Sequence, residues 1–365
     1  MIRAGVRAAE RLRSEGFHEG LFDTIVGASG GPKWLVLQPI DTVLIDRLIL
    51  PRSRPIATLG SSIGSFRHAC FAQKDPHGAL ARFTEGYVEQ AYTGRPAMEE
   101  ISRESDRILG HFLGESGSRE IIENPIVESH IIAARLRNDR GHDRGVPFQL
   151  QLAAAAGWNL LSRRLLAHSF SRVLFAKSRP RIAFDDFETV TAPLTNENVQ
   201  HALLASGSIP MVMAGVKTIT EIPGTLFDGG IIDYHFDFGF ERGRPRGRSG
   251  GQRESNEDAS PSDDLVLFPH FFDRITPGWF DKPLPWRKPS TEALADVVMI
   301  APSDEFVKRL PGGKVPDRND FLELETQERF RQWRRVMHEC QVLADELSHL
   351  FDARDCAGRI EPFPT

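Results

Sequence analysis

Three glycine-marked turns hold the residues of this chain best suited to chemistry. The first is Gly27-Ala28-Ser29-Gly30-Gly31-Pro32-Lys33, the second Gly60-Ser61-Ser62-Ile63-Gly64, and the third Asp228-Gly229-Gly230. The second has the form G-x-S-x-G. A serine flanked in this way can sit on a sharp strand-to-helix turn, where its hydroxyl projects and neighbouring backbone passes close. The helix that follows directs its positive end at developing negative charge. A glycine loop, a serine elbow and an aspartate turn would provide an oxyanion hole, a nucleophile and a base. Ser29 also fits the template, because residues 27–31 repeat the G-x-S-x-G pattern. Taken singly, Ser62 reads as a turn serine and Asp228 as the residue closing an Asx turn. Their order along the chain is what gives them a joint meaning.

Positioning such turns requires strands that end at one edge of a sheet. Residues 22–26 (Phe-Asp-Thr-Ile-Val) and 54–57 precede the first two turns, and 225–227 precede the third. Further buried strands are expected at 187–194, 265–268 and 297–300. Between them, 34–50 reads as a buried helix kinked at Pro39, 65–73 and 196–205 as helices, and about 323–350 as one long amphipathic helix. Residues 75–185 read as a helical insertion, with a strand near 126–132, a polar turn at 138–145 and helix again over 149–175. Residues 241–264 are rich in Gly, Arg, Ser and Asp and read as a disordered loop. Strands alternating with helices imply an α/β fold, its sheet mostly parallel and covered on both faces. In such a sheet, turns at the carboxyl ends of strands converge where ligands bind.

Bulk properties narrow the function. With 45 basic and 50 acidic residues the net charge is −5, which implies no nucleic-acid partner, and 26% charged with 40% hydrophobic content is ordinary for a globular chain. Cys70, Cys340 and Cys356 are too widely spaced for a zinc site or disulfide framework. A reducing, cytoplasmic compartment is expected. The first 20 residues read as an amphipathic helix rather than a secretory signal, and no window has the length of a membrane span. No motif calls for calcium, another metal or a cofactor. The Gly-to-Lys spacing of 27–33 mimics a phosphate-binding loop, but Pro32 and Trp34 stand where that loop needs a glycine and a hydroxyl.

The order of the turns resembles that of the patatin-like phospholipases, lipid acyl hydrolases with a Ser–Asp dyad. Gly30-Gly31-Pro32-Lys33 matches the G-G-x-R/K core of the family's first loop, Gly60 to Gly64 its G-x-S-x-G, and Asp228-Gly229-Gly230 its D-G-G turn. Residues 201–210 (His-Ala-Leu-Leu-Ala-Ser-Gly-Ser-Ile-Pro) resemble its A-x-x-A-S-x-x-x-P segment. The likeness covers about 20–74 and 185–236. Ala28-Ser29 stand where the family has Asp-Gly, Trp34 replaces a glycine, and Asp233-Tyr234-His235 follow where an N-x-P element is common. The resemblance implies a single three-layer patatin-like α/β domain over 1–365, with a helical insertion at about 75–185 and a C-terminal extension at about 302–365. It implies a nucleophile at Ser62, a base at Asp228 and an oxyanion hole from the N–H groups of Gly30 and Gly31 with Lys33 adding charge. Gly60, Gly64, Gly229 and Gly230 would shape the turns. The substrate would be a lipid or other carboxylic ester, met in part at a membrane surface; the oligomeric state is not implied.

Two other classes fit the same residues. A Ser–His–Asp esterase would need His235 or His270 beside Ser62. A non-catalytic module would use the aromatic stretch Phe271, Phe272, Trp279, Phe280 and Trp286, with Arg287 and Lys288, to hold a lipid or protein. His68 and His201 read as structural or exposed.

Overall fold

The computed structural model describes residues 1–94, 96–137, 139, 143–178, 184, 186–236 and 264–364. The expected loop at 241–264 lies outside them except for Asp264, as do 138 and 140–142 of the polar turn. The strands are β1 (Ile2–Ala4), β2 (Phe22–Gly27), β3 (Ile56–Ser61), β4 (Val127–Leu136), β5 (Phe170–Ala176), β6 (Thr189–Pro193), β7 (Leu226–Asp228), β8 (Leu265–Pro269), β9 (Val297–Ile300) and β10 (Ile360–Glu361). They form one sheet in the order β10-β1-β9-β8-β2-β3-β4-β5-β6, with β7 added to β4. Pairing is parallel from β9 through β8, β2 and β3 to β4, and again for β5–β6 and β1–β10. The pairs β1–β9, β4–β5 and β4–β7 are antiparallel. Strands β8 and β9 are buried at every position, which explains their unbroken apolar runs.

Helices flank this sheet in a three-layer α/β arrangement. They are α1 (Val6–Glu15), α2 (Gln38–Leu44), α3 (Ile63–Phe71), α4 (Pro76–Val88), α5 (Met98–Leu113), α6 (Gly117–Glu123), α7 (Gly145–Leu161) and α8 (Val199–Gly207). The C-terminal part adds α9 (Asp304–Val307), α10 (Asp320–Glu323), α11 (Thr326–Glu339) and α12 (Gln341–Ala353). Helix α3 packs on β2, β3 and β4, and α8 on β4 and β7. Among the described residues no helix is long and apolar enough to cross a membrane.

Several local expectations are corrected. The stretch 75–185 is helical only in part, because it contributes β4 and β5, two internal strands of the sheet. Helix α7 ends at Leu161, and 170–175 belong to β5 rather than to a helix. The apolar character of that segment fits either structure, and pairing with β4 and β6 decides it. Residues 34–50 are buried and helical but divided into a 3₁₀ turn (Gly31–Val36), α2 and a π turn (Ile45–Ile49). Pro39 lies in the first turn of α2, where its missing N–H costs nothing, so it starts a helix instead of kinking one. The long C-terminal helix is two, separated at Cys340. The N-terminal segment contains α1, preceded by β1, which lies between β10 and β9.

A buried ionic network holds the segment after β7 against β5. Arg172 of β5 donates from Nε and Nη2 to the two carboxylate oxygens of Asp233, at 2.6 and 2.8 Å, and from Nη1 to Asp186 at 2.8 Å. Arg163 donates to the Ile232 carbonyl at 2.8 Å. Arg172 and Asp233 are both fully buried. Replacing Arg172 by Met would remove both hydrogen bonds to the buried Asp233 carboxylate and leave it Arg163 at 3.6 Å. Arg172→Met is expected to lose about 3–5 kcal/mol of stability, read by denaturant or thermal unfolding.

Candidate active site

The elbow forms because β3 must turn directly into α3. Ser62 is the N-cap of α3 and has φ 54° and ψ −128°, in the left-handed region that a non-glycine residue enters only when its surroundings hold it there. Gly64 lets α3 approach β2, since a Cβ at that position would fall 2.0 Å from the Gly27 carbonyl oxygen. Gly60 is the register partner of Gly27 across β2 and β3. The backbone N–H of Ser62 donates to Ser206 Oγ at 2.8 Å, and Ser206 Oγ donates to the Ile132 carbonyl at 2.6 Å. Ser65 Oγ lies 2.9 Å from the same hydroxyl. The elbow is thereby tied to α8 and β4 together.

Asp228, the last residue of β7, meets the serine from the other side. Ser62 Oγ donates to Asp228 Oδ2 at 2.6 Å, and the Gly230 N–H donates to Oδ1 at 2.7 Å. Ser29 Oγ lies 3.5 Å from Oδ1 and 2.9 Å from Ser61 Oγ, so the second serine of the sequence pattern reaches the same carboxylate at longer range. Burial raises the Asp228 pKa above the usual carboxylate range. The bonds from Ser62 and Gly230, with the charges of Lys282 and Arg318, oppose that rise without cancelling it. Gly229 sits where a Cβ would come 2.4 Å from the Ile132 carbonyl oxygen.

A cavity of about 60 Å³ opens at this point, lined among others by Ser62, Asp228, Ser29, Gly30, Gly31, Lys33 and Gly230. The structure therefore gathers the sequence-chosen residues at one place: the glycine loop, the serine and the aspartate share a wall. Gly31 begins its 3₁₀ turn with φ 55°. Trp34 points away into the core, stacked on Phe83 at 4.5 Å, so the residue that replaces the usual glycine fills the interior. Burial lowers the pKa of Lys33.

No histidine is among the residues lining this cavity. His235 is buried with Nδ1 accepting from the Thr276 N–H at 2.9 Å, and its ring packs on Tyr234 and His270, each at 4.3 Å. Burial pushes the pKa of His235 well down and that of His270 to about 4. Part of the aromatic stretch does reach the site, since Trp279 lines the cavity. Lys282, Arg318 and Tyr234 line it too and had no motif to reveal them; they arrive from loops that follow β8, β9 and β7. Ser206 belongs to the 201–210 segment, but its bridging role depends on contacts across the fold.

No family model and no curated protein matches the sequence. Among solved structures the chain is similar to the type III effector protein ExoU, with 14% identity and a TM-score of 0.30 over 92% of this chain and 53% of that one. It is similar to VipD from Legionella pneumophila with 9% identity and a TM-score of 0.30, over 88% of this chain and 67% of that one. The chain thus spans about half the length of the ExoU chain. Likenesses of this size carry no argument about activity.

A raised carboxylate pKa means that ionised Asp228 opposes folding at pH above its folded value, and that this penalty fades as pH falls through it. Asp228→Asn is expected to raise the melting temperature near neutral pH, with the gain shrinking toward about pH 4. Thermal unfolding of both proteins across that range checks the sign.

Proposed function

We propose that this protein is a serine acyl hydrolase of patatin-like type that cleaves carboxylic esters of lipids through a Ser62–Asp228 dyad. The observation that carries this reading is the 2.6 Å hydrogen bond from Ser62 Oγ to a buried Asp228 carboxylate, at a strained elbow and without an intervening histidine. In the first step Ser62 Oγ attacks the ester carbonyl carbon while its proton passes to Asp228. The oxyanion would be met by the N–H groups of Gly30 and Gly31, with the charge of Lys33 nearby. As the tetrahedral species collapses, Asp228 returns the proton to the leaving alcohol and the acyl group remains on Ser62. Water then attacks the acyl-enzyme, Asp228 takes its proton, and Ser62 leaves with that proton as the fatty acid is released. A Ser–His–Asp route through His235 or His270 finds less support, because both rings are engaged in packing away from the cavity wall.

The activity test is direct. A fluorophosphonate probe should label Ser62, and Ser62→Ala should abolish both labelling and ester hydrolysis. Asp228→Asn should lower kcat by about a hundred- to ten-thousandfold, whereas His235→Gln and His270→Gln should retain most of it if they fold. Absence of labelling in folded protein, or loss of rate confined to the histidine variants, would overturn the reading.

The surface that would meet a lipid aggregate is α7. Its 17 residues include no charged side chain. Val146, Leu150, Trp158, Leu160 and Leu161 are between 43% and 73% exposed, and Trp286 is 66% exposed. Asn159 of α7 donates to Asp281 at 2.7 Å, and Arg287 donates to the Asn159 carbonyl at 2.8 Å, which joins Trp286 and the Trp279–Lys282 wall of the cavity to this face. Arg164 and Lys288 are exposed beside it. Apolar side chains rimmed by cations suit an anionic lipid surface. A cytoplasmic protein that touches membranes only peripherally accords with this face and with the free thiols of Cys70, Cys340 and Cys356. Leu150→Gln combined with Leu161→Gln should reduce co-sedimentation with phosphatidylglycerol vesicles several-fold at an unchanged melting temperature. Unchanged sedimentation, or a concentration-dependent dimer abolished by the same changes, would take this face away from the membrane.

A further inference from the structure

The cavity at Ser62 has an unbalanced charge. Its lining contains one carboxylate, Asp228, and three cations, Lys33, Lys282 and Arg318. Asp228 is committed to Ser62 and to the Gly230 N–H. Among the described residues neither Lys33 nor Arg318 forms an ion pair or side-chain hydrogen bond. The acidic groups that act on Lys33, Asp317 and Asp320, are bound by Lys314 at 3.4 and 2.8 Å, and Asp320 also accepts from Trp333 Nε1 at 2.9 Å. Lys282 holds its ammonium 3.9 Å from the centre of the Tyr234 ring. Arg318 lies along the glycine loop, where a Cβ on Gly31 would be 3.6 Å from Arg318 Cγ.

Resting on the Ser–Asp reading, we infer that Lys33, Lys282 and Arg318 form a subsite for a compact anion, a phosphate or carboxylate carried next to the scissile ester, and that the enzyme prefers net-anionic esters to zwitterionic or neutral ones. Space supports the placement. The cavity is narrow at Ser62, about 60 Å³, and opens toward solvent. The rest of the substrate lies at the mouth, where Lys282 and Arg318 are exposed. Three cations brought together repel one another: although Lys282 as a whole is exposed, desolvation of its ammonium over the Tyr234 ring, then Arg318 and Lys33, hold its pKa down to about 7 against the opposing pull of Asp228. An anion seated among them relieves that repulsion. Because two of the three are exposed, the preference is moderate and screened by salt.

The test compares kcat/KM for palmitoyl lysophosphatidate and palmitoyl lysophosphatidylcholine, which share the ester and differ in headgroup charge. Wild type should favour the anionic substrate about tenfold at low salt. Lys282→Met and Arg318→Gln should each shrink that ratio several-fold, as should about 0.5 M sodium chloride. The ratio should also fall as pH rises through about 7, where Lys282 loses its charge while facing Arg318, Lys33, Asp228 and Tyr234. Equal rates for the two substrates overturn the inference. So does a variant that slows both alike, since the cation would then serve the oxyanion and not the headgroup. A second readout uses Ser62→Ala, which cannot turn over. It should be thermally stabilised more by hexadecyl phosphate than by hexadecylphosphocholine, and more than by inorganic phosphate. Equal stabilisation by inorganic phosphate would assign the cluster to a free anion. If wild type hydrolyses neither lipid while this binding order holds, the dyad reading fails and the anion subsite stands.

Discussion

Two adjacent residues of β4 face two different chain segments at once. Ile132 is the register partner of Ser61 at the end of β3, and Ala133 is the partner of Asp228 at the end of β7. Strand β7 occupies the position that β3 vacates when it turns into α3, so the serine and the aspartate meet end to end along one template strand. The Ile132 carbonyl also receives Ser206 Oγ, which in turn accepts the Ser62 N–H. A register shift of one residue in either pairing would move that segment by about 3.3 Å and turn its side chains to the opposite face. The 2.6 Å contact between Ser62 and Asp228 depends on this alignment.

The arrangement is costly in local terms. A non-glycine residue at φ 54° stores about 1–3 kcal/mol, and a carboxylate is kept almost free of water at Asp228. Both are offset by the surroundings. The elbow is held by the Ser206 bridge and by contact between Gly64 and Gly27, and the segment after β7 is held by Arg172 and Arg163. On the proposed mechanism desolvation would serve the chemistry as well as oppose stability, because it moves the carboxylate toward the proton affinity that a base for a serine hydroxyl needs. The cations at the cavity mouth pull in the opposite direction.

The chain's local signals made some of this legible and hid the rest for definite reasons. Strands β8 and β9 were visible as unbroken apolar runs, and β2 and β3 as short mixed runs that lead into glycine-marked turns. The glycine loop, Ser62 and Asp228 were visible because sharp turns admit few residue types. Strand β4 was seen only as a short strand inside a helical stretch, and β5 was read as helix. Both are buried along almost their whole length and interrupt their apolar residues with Glu128, His130, Arg135 or Arg172, so neither shows the period-two alternation that separates a strand from a buried helix. The template that aligns the site was therefore the least legible part of the sheet. Pro39 shows the same limit on a smaller scale, since its effect depends on whether the helix passes through it or begins there.

Residue identity alone settled which groups could do the chemistry. A hydroxyl between glycines, a carboxylate before paired glycines and a glycine loop ending in lysine are local facts, fixed by the conformations those residues permit. Tertiary structure alone decided that the hydroxyl and carboxylate touch, that Ser206 links them to β4, and that Lys282 and Arg318 join Lys33 at one mouth. Those relations span 166 residues for the dyad and 144 for the Ser206 bridge. They are set by strand register and by which loops the packed sheet brings to a common edge, and neither is written in any short window of the chain.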